Sequence, residues 1–542
     1  MSGFVSLGAL GAAALALWSA SGRPAHAQTS TRPARALAVP RLEETIRPDG
    51  RLDESVWSQA AVARDFIQRE PKAGEPAAEP TEVFIFYNAR AVFIGARLHD
   101  SDASRIVGSE YLRDANLDAN DSFEVYLDTF HDRRNTFYFQ TNAAGAMRDA
   151  LVRNEGESIN WEWDGVWDVV AARDQRGWSI EMVIPLSTLR FKVGSGAGWG
   201  ANFGRLVART REESYWAPIS RDFGLLGKWR VSAYGQLTGL DRAQPGGRLQ
   251  LKPFVLGGAE VDERHPGDTD PESKVGLDGK VALTPTVVAD LTVNTDFAQV
   301  EADQQQVNLT RFPLFFPEKR EFFLENAGLF QIGERLRPFE PPSTLLFFSR
   351  QIGLTEDGDP VPLVGGARVT GKLGRYDLGA FDIVADEATI ENDEGEILHL
   401  PRTNFAAVRV KRDVRTRSSL GAMFLSKSPA DAGSSNQVVA VDASLAPAQT
   451  VSIIGFAAQS FTPGLARSAH AVGVDLNWET ERYSAVGSYV DIGDDFTSEM
   501  GFLQRQGIRK YRGSFAVQRR PRMMNIRQLF VFDDHTLVTD RQ

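Results

Sequence analysis

Short segments in which apolar and polar residues alternate recur between about Val275 and about Val531, and they constrain the fold more than any other feature. In the clearest segment the apolar positions are Val472, Val474, Leu476 and Trp478, and the positions between them are Gly473, Asp475, Asn477 and Glu479. Such a segment is about ten residues long, as in membrane-crossing strands. Strands of soluble sandwiches are usually about five or six residues. The alternation therefore predicts strands with one face toward lipid and the other toward a polar lumen.

The same alternation appears in other parts of this region, including 275–284, 287–294 and 439–445. At about twenty residues for each strand and turn, the region holds roughly fourteen strands. We therefore predict an antiparallel transmembrane β-barrel over residues 249–542. A barrel of this class places the protein in a bacterial outer membrane, in contact with lipid.

Composition excludes several kinds of chemistry. The 542 residues leave room for two or three domains, and they include no cysteine. Disulfides, thiolate metal sites and a cysteine nucleophile are thereby excluded. The net charge of −11 argues against nucleic-acid binding, which needs a basic face.

The N-terminus resembles an export signal. Phe4 to Trp18 is apolar, and Ala25-His26-Ala27 matches the small-residue cleavage pattern. A membrane helix would need about twenty apolar residues, so it fits less well. We assign 1–27 to a signal peptide, although its first residues carry no positive charge, and 28–40 to a flexible leader.

Residues 41–240 predict a different kind of domain. Short β-rich runs are separated by turn-forming residues, and eight of the ten tryptophans lie between Trp57 and Trp229. This pattern predicts a β-sandwich. Residues 241–248, with one proline and two glycines, form the predicted linker to the barrel, so the whole chain is expected to be all-β.

One long segment, 296–331, interrupts the alternation. Its centre contains Glu318, Lys319, Arg320 and Glu321 between two phenylalanine-rich runs. Long connections between strands are often functional, and a segment folded inward would fill the lumen as a plug. We expect its charges to pair with inward groups such as Arg409 or Lys411. Sealing and gating of the lumen both remain open.

Aromatic residues in the first domain suggest sugar binding, which uses aromatic faces with polar groups at the rim. Trp161 and Trp163, two residues apart, would share one strand face. Tyr215 and Trp216, close to Arg211, form a second candidate site. The alternative is that these rings fill the sandwich core.

Asp114, Asp118 and Asp121 lie in one loop together with two asparagines. Oxygen ligands in a turn suit calcium, although the spacing differs from that of an EF-hand. A solvated acidic loop is the alternative, and no other cofactor is expected.

The sequence contains little evidence for a catalytic site. The seven histidines form no H-E-x-x-H pair, and no G-x-S-x-G motif is present. A glycosidase pair of carboxylates remains open because nothing selects one pair. We therefore predict no catalytic residues.

Two further sets of residues resemble known families. The first domain resembles family 9 carbohydrate-binding modules in the runs Leu52–Trp57, Asp121–Asp128 and Gly177–Pro185. The second part resembles an uncharacterised bacterial outer-membrane barrel family in the runs Gln299–Asp303, Asn308–Phe312 and Phe315–Arg320. Members of that family carry the same carbohydrate-binding-like domain in front. The resemblance implies an exported sandwich fused to a barrel.

The predicted function is binding or import of a glycan or other small solute, with the sandwich in the periplasm. One alternative is a hydrolase acting on O-glycosyl compounds. The other is a structural or assembly protein of the outer membrane that binds no sugar. The oligomeric state is left open.

Overall fold

The computed structural model describes residues 35–541, with internal gaps. The gaps are 195, 197, 247–248, 262–268, 295–311, 336–341, 356–359, 392–396, 432–434, 466–467, 522–525 and 527. The predicted signal peptide, residues 28–34 of the leader, residues 247–248 of the linker and residues 296–311 of the lumen segment lie outside the described residues.

Fourteen strands form the first part of the chain. They are β1 Ala36–Ala38, β2 Ala61–Ala63, β3 Ile67–Glu70, β4 Thr81–Tyr87, β5 Ala91–His99, β6 Ser122–Asp128, β7 Thr136–Asn142, β8 Met147–Arg153, β9 Ser158–Asn160, β10 Asp168–Asp174, β11 Gly177–Pro185, β12 Trp199–Val207, β13 Glu212–Tyr215 and β14 Gly235–Thr238. One sheet has the order β1-β14-β12-β6-β7-β8-β9, with β13 and β3 joined to β12, and the other has the order β10-β11-β5-β4-β2. The predicted sandwich is confirmed.

The sandwich core lies between these two sheets because alternate residues of each strand point inward. Phe123, Phe139 and Phe203 of the first sheet are fully buried there, with Ile94 and Ile180 of the second. Residues of β6, β7 and β12 that alternate with these face the other way, toward a second buried cluster that includes Tyr126 and Tyr138. The first sheet is therefore covered on both faces.

The predicted leader extends too far. Residues 36–38 form β1, which pairs in parallel with β14. A three-residue strand has no periodicity to read from sequence, and its partner lies about two hundred residues away. The last residues assigned to the leader thus belong to the sandwich.

The second part of the chain supplies the remaining strands. They are β15 Leu249–Val261, β16 Thr269–Thr284, β17 Val287–Val293, β18 Thr344–Leu345, β19 Leu363–Leu373, β20 Tyr376–Ala385, β21 Ala388–Glu391, β22 Ile397–Leu400, β23 Thr403–Arg415, β24 Ser418–Pro429, β25 Asn436–Ala448, β26 Val451–Phe461, β27 His470–Glu479, β28 Tyr483–Ile492, β29 Phe502–Leu503, β30 Ile508–Arg519 and β31 Leu529–Asp540. Thirteen of them form one antiparallel sheet, in the order β15-β16-β17-β19-β20-β23-β24-β25-β26-β27-β28-β30-β31. The predicted antiparallel barrel of roughly fourteen strands is confirmed in its antiparallel strand order and its approximate strand number.

Alternation along these strands sets which face is outward. On β27, Val474 and Leu476 are 45% and 43% exposed, whereas Asp475 between them is 5% exposed. Val439 and Val441 are likewise exposed on β25. The outer face is therefore apolar, as the sequence predicts.

Two layers fill the space inside the sheet. Toward one end, apolar strand residues such as Phe381, Phe405 and Phe456 pack against an inner segment, residues 312–335. Toward the other end, inward positions are charged, and Arg409 pairs with Asp442 at 2.6 Å. The lumen is thus apolar at one end and ion-paired at the other.

Helices are short. The α-helix, α1, spans Glu321–Leu324, and the 3₁₀ turns are Ser55–Gln59, Ala103–Arg105, Asn154–Gly156, Arg221–Phe223, Leu225–Trp229, Val231–Ala233, Ala327–Leu329 and Ser349–Gln351. Within the described residues, no helix has both the length and the apolar character needed to cross a membrane.

Candidate functional site

The sandwich lies against the charged end of the lumen, and ion pairs join the two parts. Lys372, at the end of β19, reaches Asp132 of the sandwich at 3.2 Å, together with Asp377 at 3.3 Å and Asp413 at 2.8 Å on the neighbouring strands. Arg134 of the sandwich also pairs with Asp413. Each of these charges is largely buried and has an opposite partner, which such burial requires.

More contacts continue around this end of the barrel. Glu155 of the sandwich pairs with Arg417, and Glu157 accepts a hydrogen bond from Ser444 at 3.0 Å. Two guanidiniums, those of Arg221 and Arg520, reach Glu70 at 2.8 and 2.7 Å. The interface is therefore mainly polar and extends across several strands of the barrel.

The inner segment also touches the sandwich. Arg190 pairs with Glu325 at 2.9 Å, and Asn160 donates to the carbonyl of Leu324 at 2.7 Å. Arg153 donates to the side chain of Asn326 at 2.5 Å. The short stretch Leu324–Asn326 thus connects the inner segment to the sandwich.

A cleft of about 700 Å³ lies between the outer face of the first sheet and the barrel residues Gln518, Arg520 and Gln528. Its sandwich side includes Glu124, Gln140, Tyr215, Lys228, Arg69, Glu213, Arg211 and Asp118. The volume lies within the usual range for small-molecule sites, about 300–1,000 Å³. This cleft is the candidate functional site.

Glu124 forms the charged floor of the cleft. Its carboxylate accepts hydrogen bonds from Tyr126 at 2.5 Å, Tyr138 at 2.8 Å and Lys228 at 3.0 Å. Burial alone would raise the pKa of Glu124, but the Lys228 ammonium and the two phenols hold that pKa below its usual range. The carboxylate is therefore kept ionised.

Three residues that line the cleft have a buried side-chain atom without a partner within the described part of the chain. The atoms are Oε1 of Gln140, a residue that is 1% exposed, Nε of Arg69 and Nε of Arg205. Gln140 directs its amide nitrogen toward Ser122 at 3.3 Å. A buried polar atom without a partner is costly, so a cleft lined by such atoms is suited to a ligand or water that bonds to them.

Aromatic rings support the cleft from one side. Tyr126, Tyr138 and Trp229 pack at centroid distances of 4.8–5.8 Å. Lys228 lies over the Trp229 ring at 4.9 Å. These contacts fix the position of the lysine that pairs with Glu124.

The predicted Trp161–Trp163 platform is not formed. β9 ends at Asn160, so the two residues lie in a turn and do not alternate along a strand. Trp163 is 8% exposed and packs in the sandwich core against Phe137 at 5.5 Å. Trp161 packs on the other face of the sheet, under the guanidinium of Arg148 at 3.9 Å.

The second predicted pair is also divided. Tyr215 lies on the cleft floor and Trp216 in the sandwich core against Phe203, because neighbouring strand residues point to opposite faces. Each is 3% exposed, so neither offers an open ring face for stacking. Arg211 is exposed on the cleft wall, as a binding role would need.

The three aspartates proposed for calcium do not meet. Asp121 is fully buried and accepts a hydrogen bond from the backbone of Val107 at 2.8 Å, whereas Asp118 lines the cleft. Asp114 instead lies with Asp149 and Asp164, all within 4.8 Å of one another. The guanidinium of Arg113 contacts these three carboxylates at 3.2, 3.0 and 2.9 Å and acts as their cation.

Charges in the inner segment pair locally. Glu318 binds Arg320 at 2.6 Å, and Arg320 also donates to the carbonyls of Ile352 at 2.6 Å and Ser349 at 2.7 Å. The expected pairing with Arg409 is wrong, because that side chain is used by Asp442 and by the carbonyl of Leu329. Lys319 donates its backbone N–H to Glu318, and Glu321 begins α1.

Sequence reasoning missed Glu124, Gln140, Lys228 and Arg69. A signal for two of them was present. Glu124 and Gln140 are polar residues inside short apolar strands, at positions that alternate with core phenylalanines. Lys228 and Arg69 reach the cleft from loops and an edge strand distant in sequence, which no local pattern could reveal.

Comparison with known proteins bears on both parts of the chain. The profile of a domain of unknown function (DUF5916) matches residues 245–363. A family 9 carbohydrate-binding module from Caldicellulosiruptor kristjanssonii, solved with cellotriose, is 15% identical, covers 38% of this chain and 93% of its own, and gives a TM-score of 0.28. No curated protein matches the chain.

Two solved structures are similar to a larger share of the chain. OccAB2 from Acinetobacter baumannii is 8% identical, covers 77% of this chain and 79% of its own, and gives a TM-score of 0.26. OpdL from Pseudomonas aeruginosa is 11% identical, with coverages of 74% and 77% and the same TM-score of 0.26. Both expected resemblances are thus found. At TM-scores this far below 0.5, they carry no function over to this chain.

Proposed function

We propose that this protein is a bacterial outer-membrane protein that binds a carbohydrate in the cleft beside Glu124 and Gln140. The thirteen-stranded sheet holds the sandwich at the membrane. The observation that carries the carbohydrate proposal is the buried, unpartnered Oε1 of Gln140 in a cleft rich in paired charges.

Membrane insertion is supported by the outer face of the sheet. Val474, Leu476 and Trp478 on β27 point outward and are exposed, while the inward positions between them are polar. Water would make such a broad apolar face unfavourable, and lipid makes it favourable. The sheet therefore has the surface of a membrane-spanning barrel.

The periplasmic position of the sandwich is supported by the strand connections. At the sandwich end, five connections have two or three residues, namely 285–286, 374–375, 416–417, 449–450 and 480–482, and one, 520–528, has nine. At the other end, connections such as 462–469 and 493–507 are longer than those five. Outer-membrane barrels turn tightly on the periplasmic side and carry longer loops outside, so we assign the sandwich to the periplasm.

Sugar recognition fits the chemistry of the cleft. A sugar presents both donors and acceptors, and fixed amide, carboxylate and guanidinium groups can bond to them. Gln140 and Arg69 have unused atoms for this purpose, and Arg211 is exposed at the rim. The aromatic rings in this region pack against the polar groups and stabilise their positions.

Binding is favoured over passage through the lumen. The apolar core inside the barrel includes five side chains of the inner segment: Phe322, Phe323, Leu329, Phe330 and Ile332. At about 1.5–3 kcal/mol each, withdrawing them would cost on the order of 10 kcal/mol. We therefore interpret this segment as a seal.

Binding is also favoured over hydrolysis at this cleft. A glycosidase needs one carboxylic acid that is protonated near neutral pH. Glu124 is held ionised by Lys228 and two tyrosines, so it is unsuited to that role. We propose no catalytic step.

Intrinsic fluorescence provides the test. Full-length protein in detergent is titrated with neutral and amino-sugar oligosaccharides, because Trp229 lies beside the cleft and should report binding. Gln140→Leu should weaken binding by about fivefold or more, since it removes a group able to bond to the sugar. Gln175→Leu, in an exposed turn of the other sheet, is the matched control. Absence of any response in the wild type would contradict the proposal.

A further inference from the structure

We propose that the carbohydrate is the peptide-bearing amino-sugar polymer of the bacterial cell wall, and that the protein ties this polymer to the outer membrane. The inference rests on the proposed function for the existence of a sugar site. It adds the class of ligand and a mechanical role.

A tether needs a binding site that cannot swing away from its membrane anchor. The Lys372 cluster joins one sandwich loop to three barrel strands, with Nζ–carboxylate distances of 2.8–3.3 Å. Glu70, at the cleft, is held by Arg520 beyond the end of β30. The cleft is therefore fixed to the barrel by ion pairs on opposite sides of the sandwich.

A second connection runs through the lumen. The Leu324–Asn326 stretch is bound to Asn160, Arg190 and Arg153 of the sandwich, and Asn326 also donates to Thr370 of β19 at 3.0 Å. The residues that follow this stretch are buried among apolar side chains of the barrel wall. A mechanical force that pulls on the sandwich would therefore be transmitted both to the rim and to the interior of the barrel.

The sealed lumen is also consistent with a ligand that is too large to pass through the barrel. A wall polymer is too large to pass through a barrel, so a protein that binds it needs an open cleft and no conducting pore. The cleft lies at the periphery of the periplasmic end, between the sandwich and the barrel residues Gln518, Arg520 and Gln528. A polymer that fills the periplasm can reach this position directly.

The groups in the cleft fit a polymer of N-acetylated sugars with attached carboxylates. The unpartnered Oε1 of Gln140 can accept a hydrogen bond from the N–H of an acetamido group. Arg211 at the rim offers a guanidinium, which binds carboxylates in a bidentate manner. A neutral glucan would present no carboxylate to this arginine.

Sedimentation with insoluble polymers tests the inference. Full-length protein in detergent is mixed with purified cell-wall sacculi or with cellulose, and the bound fraction is measured after centrifugation. We expect binding to sacculi, and about threefold to tenfold weaker binding for Arg211→Glu because the charge at the rim is reversed. The matched control is Arg64→Glu, whose side chain is 58% exposed on the other sheet.

Each outcome decides a separate question. Equal binding to both polymers, or binding to cellulose alone, overturns the wall assignment and leaves carbohydrate binding standing. Binding to neither polymer and to no soluble sugar overturns both proposals. Sacculus binding that is unchanged in both Arg211→Glu and Gln140→Leu overturns the cleft as the site.

Discussion

Ser158 of the sandwich and Gly328 of the inner segment lie in contact. A Cβ atom added at Gly328 would stand 3.4 Å from the Cβ of Ser158. Disulfides have Cβ–Cβ distances of about 3.5–4.5 Å, so this spacing is close to that of a natural bridge.

The double variant Ser158→Cys/Gly328→Cys should therefore form a disulfide under mild oxidation. The chain has no cysteine of its own, so no other pairing competes. The bridge is measured as a mobility shift on a non-reducing denaturing gel, with each single variant as a control. Failure to cross-link in folded protein would contradict the contact between the sandwich and the lumen segment.

Lys372→Met should loosen the interface between sandwich and barrel. The substitution leaves three carboxylates without their common cation, and removing one partner of a buried ion pair costs about 3–5 kcal/mol. Limited proteolysis of the 241–248 linker and thermal unfolding would measure the change. Lys427→Met is the matched control, because the Lys427–Glu499 pair is more exposed and lies at the other end of the barrel. A similar loss in both variants would contradict the special role of Lys372.

Asp149 should make the stability of the sandwich depend on pH. Burial raises the pKa of Asp149 from its ordinary value of 3.8 to about 7. Between these values the folded state binds a proton that the unfolded state does not, so the free energy of unfolding should fall as pH rises from about 4 to about 7. Denaturant unfolding at several pH values measures this slope.

The variant Asp149→Asn should make that pH profile less steep, whatever its effect on absolute stability. Asp164→Asn, which removes an exposed partner of the same Arg113, should leave the slope nearly unchanged. An unaltered slope in Asp149→Asn would show that another group produces it. Glu181 is the first candidate, because burial also raises its pKa to about 7.

Arg320→Met should weaken the seal inside the barrel. Arg320 is 5% exposed, and its guanidinium binds Glu318 and two backbone carbonyls; the substitution would remove the cation paired with Glu318 and the side-chain donor to both carbonyls. Buried acceptors left without a donor cost about 1–3 kcal/mol each. We expect a lower temperature for loss of the compact form on semi-native gels and a measurable ion leak in lipid bilayers. Unchanged values for both would contradict a sealing role.

Sequence predicted the strands of the barrel and their faces because alternation is a local property. Val474, Asp475 and Leu476 point where the pattern placed them. The cleft was not predictable in the same way, because Glu124, Lys228 and Arg69 come from three separate parts of the chain. Trp161 and Trp163 do not share a strand face because they lie one and three residues beyond the end of β9.

The apolar layer in the lumen has a consequence for the cell that carries this protein. Phenylalanine, leucine and isoleucine side chains of the inner segment pack against the barrel wall in this layer. Under the sealing role proposed above, the protein would carry the electrical insulation of the membrane through its own interior. Large numbers of these barrels could occupy the outer membrane without making the cell more permeable to hydrophilic antibiotics.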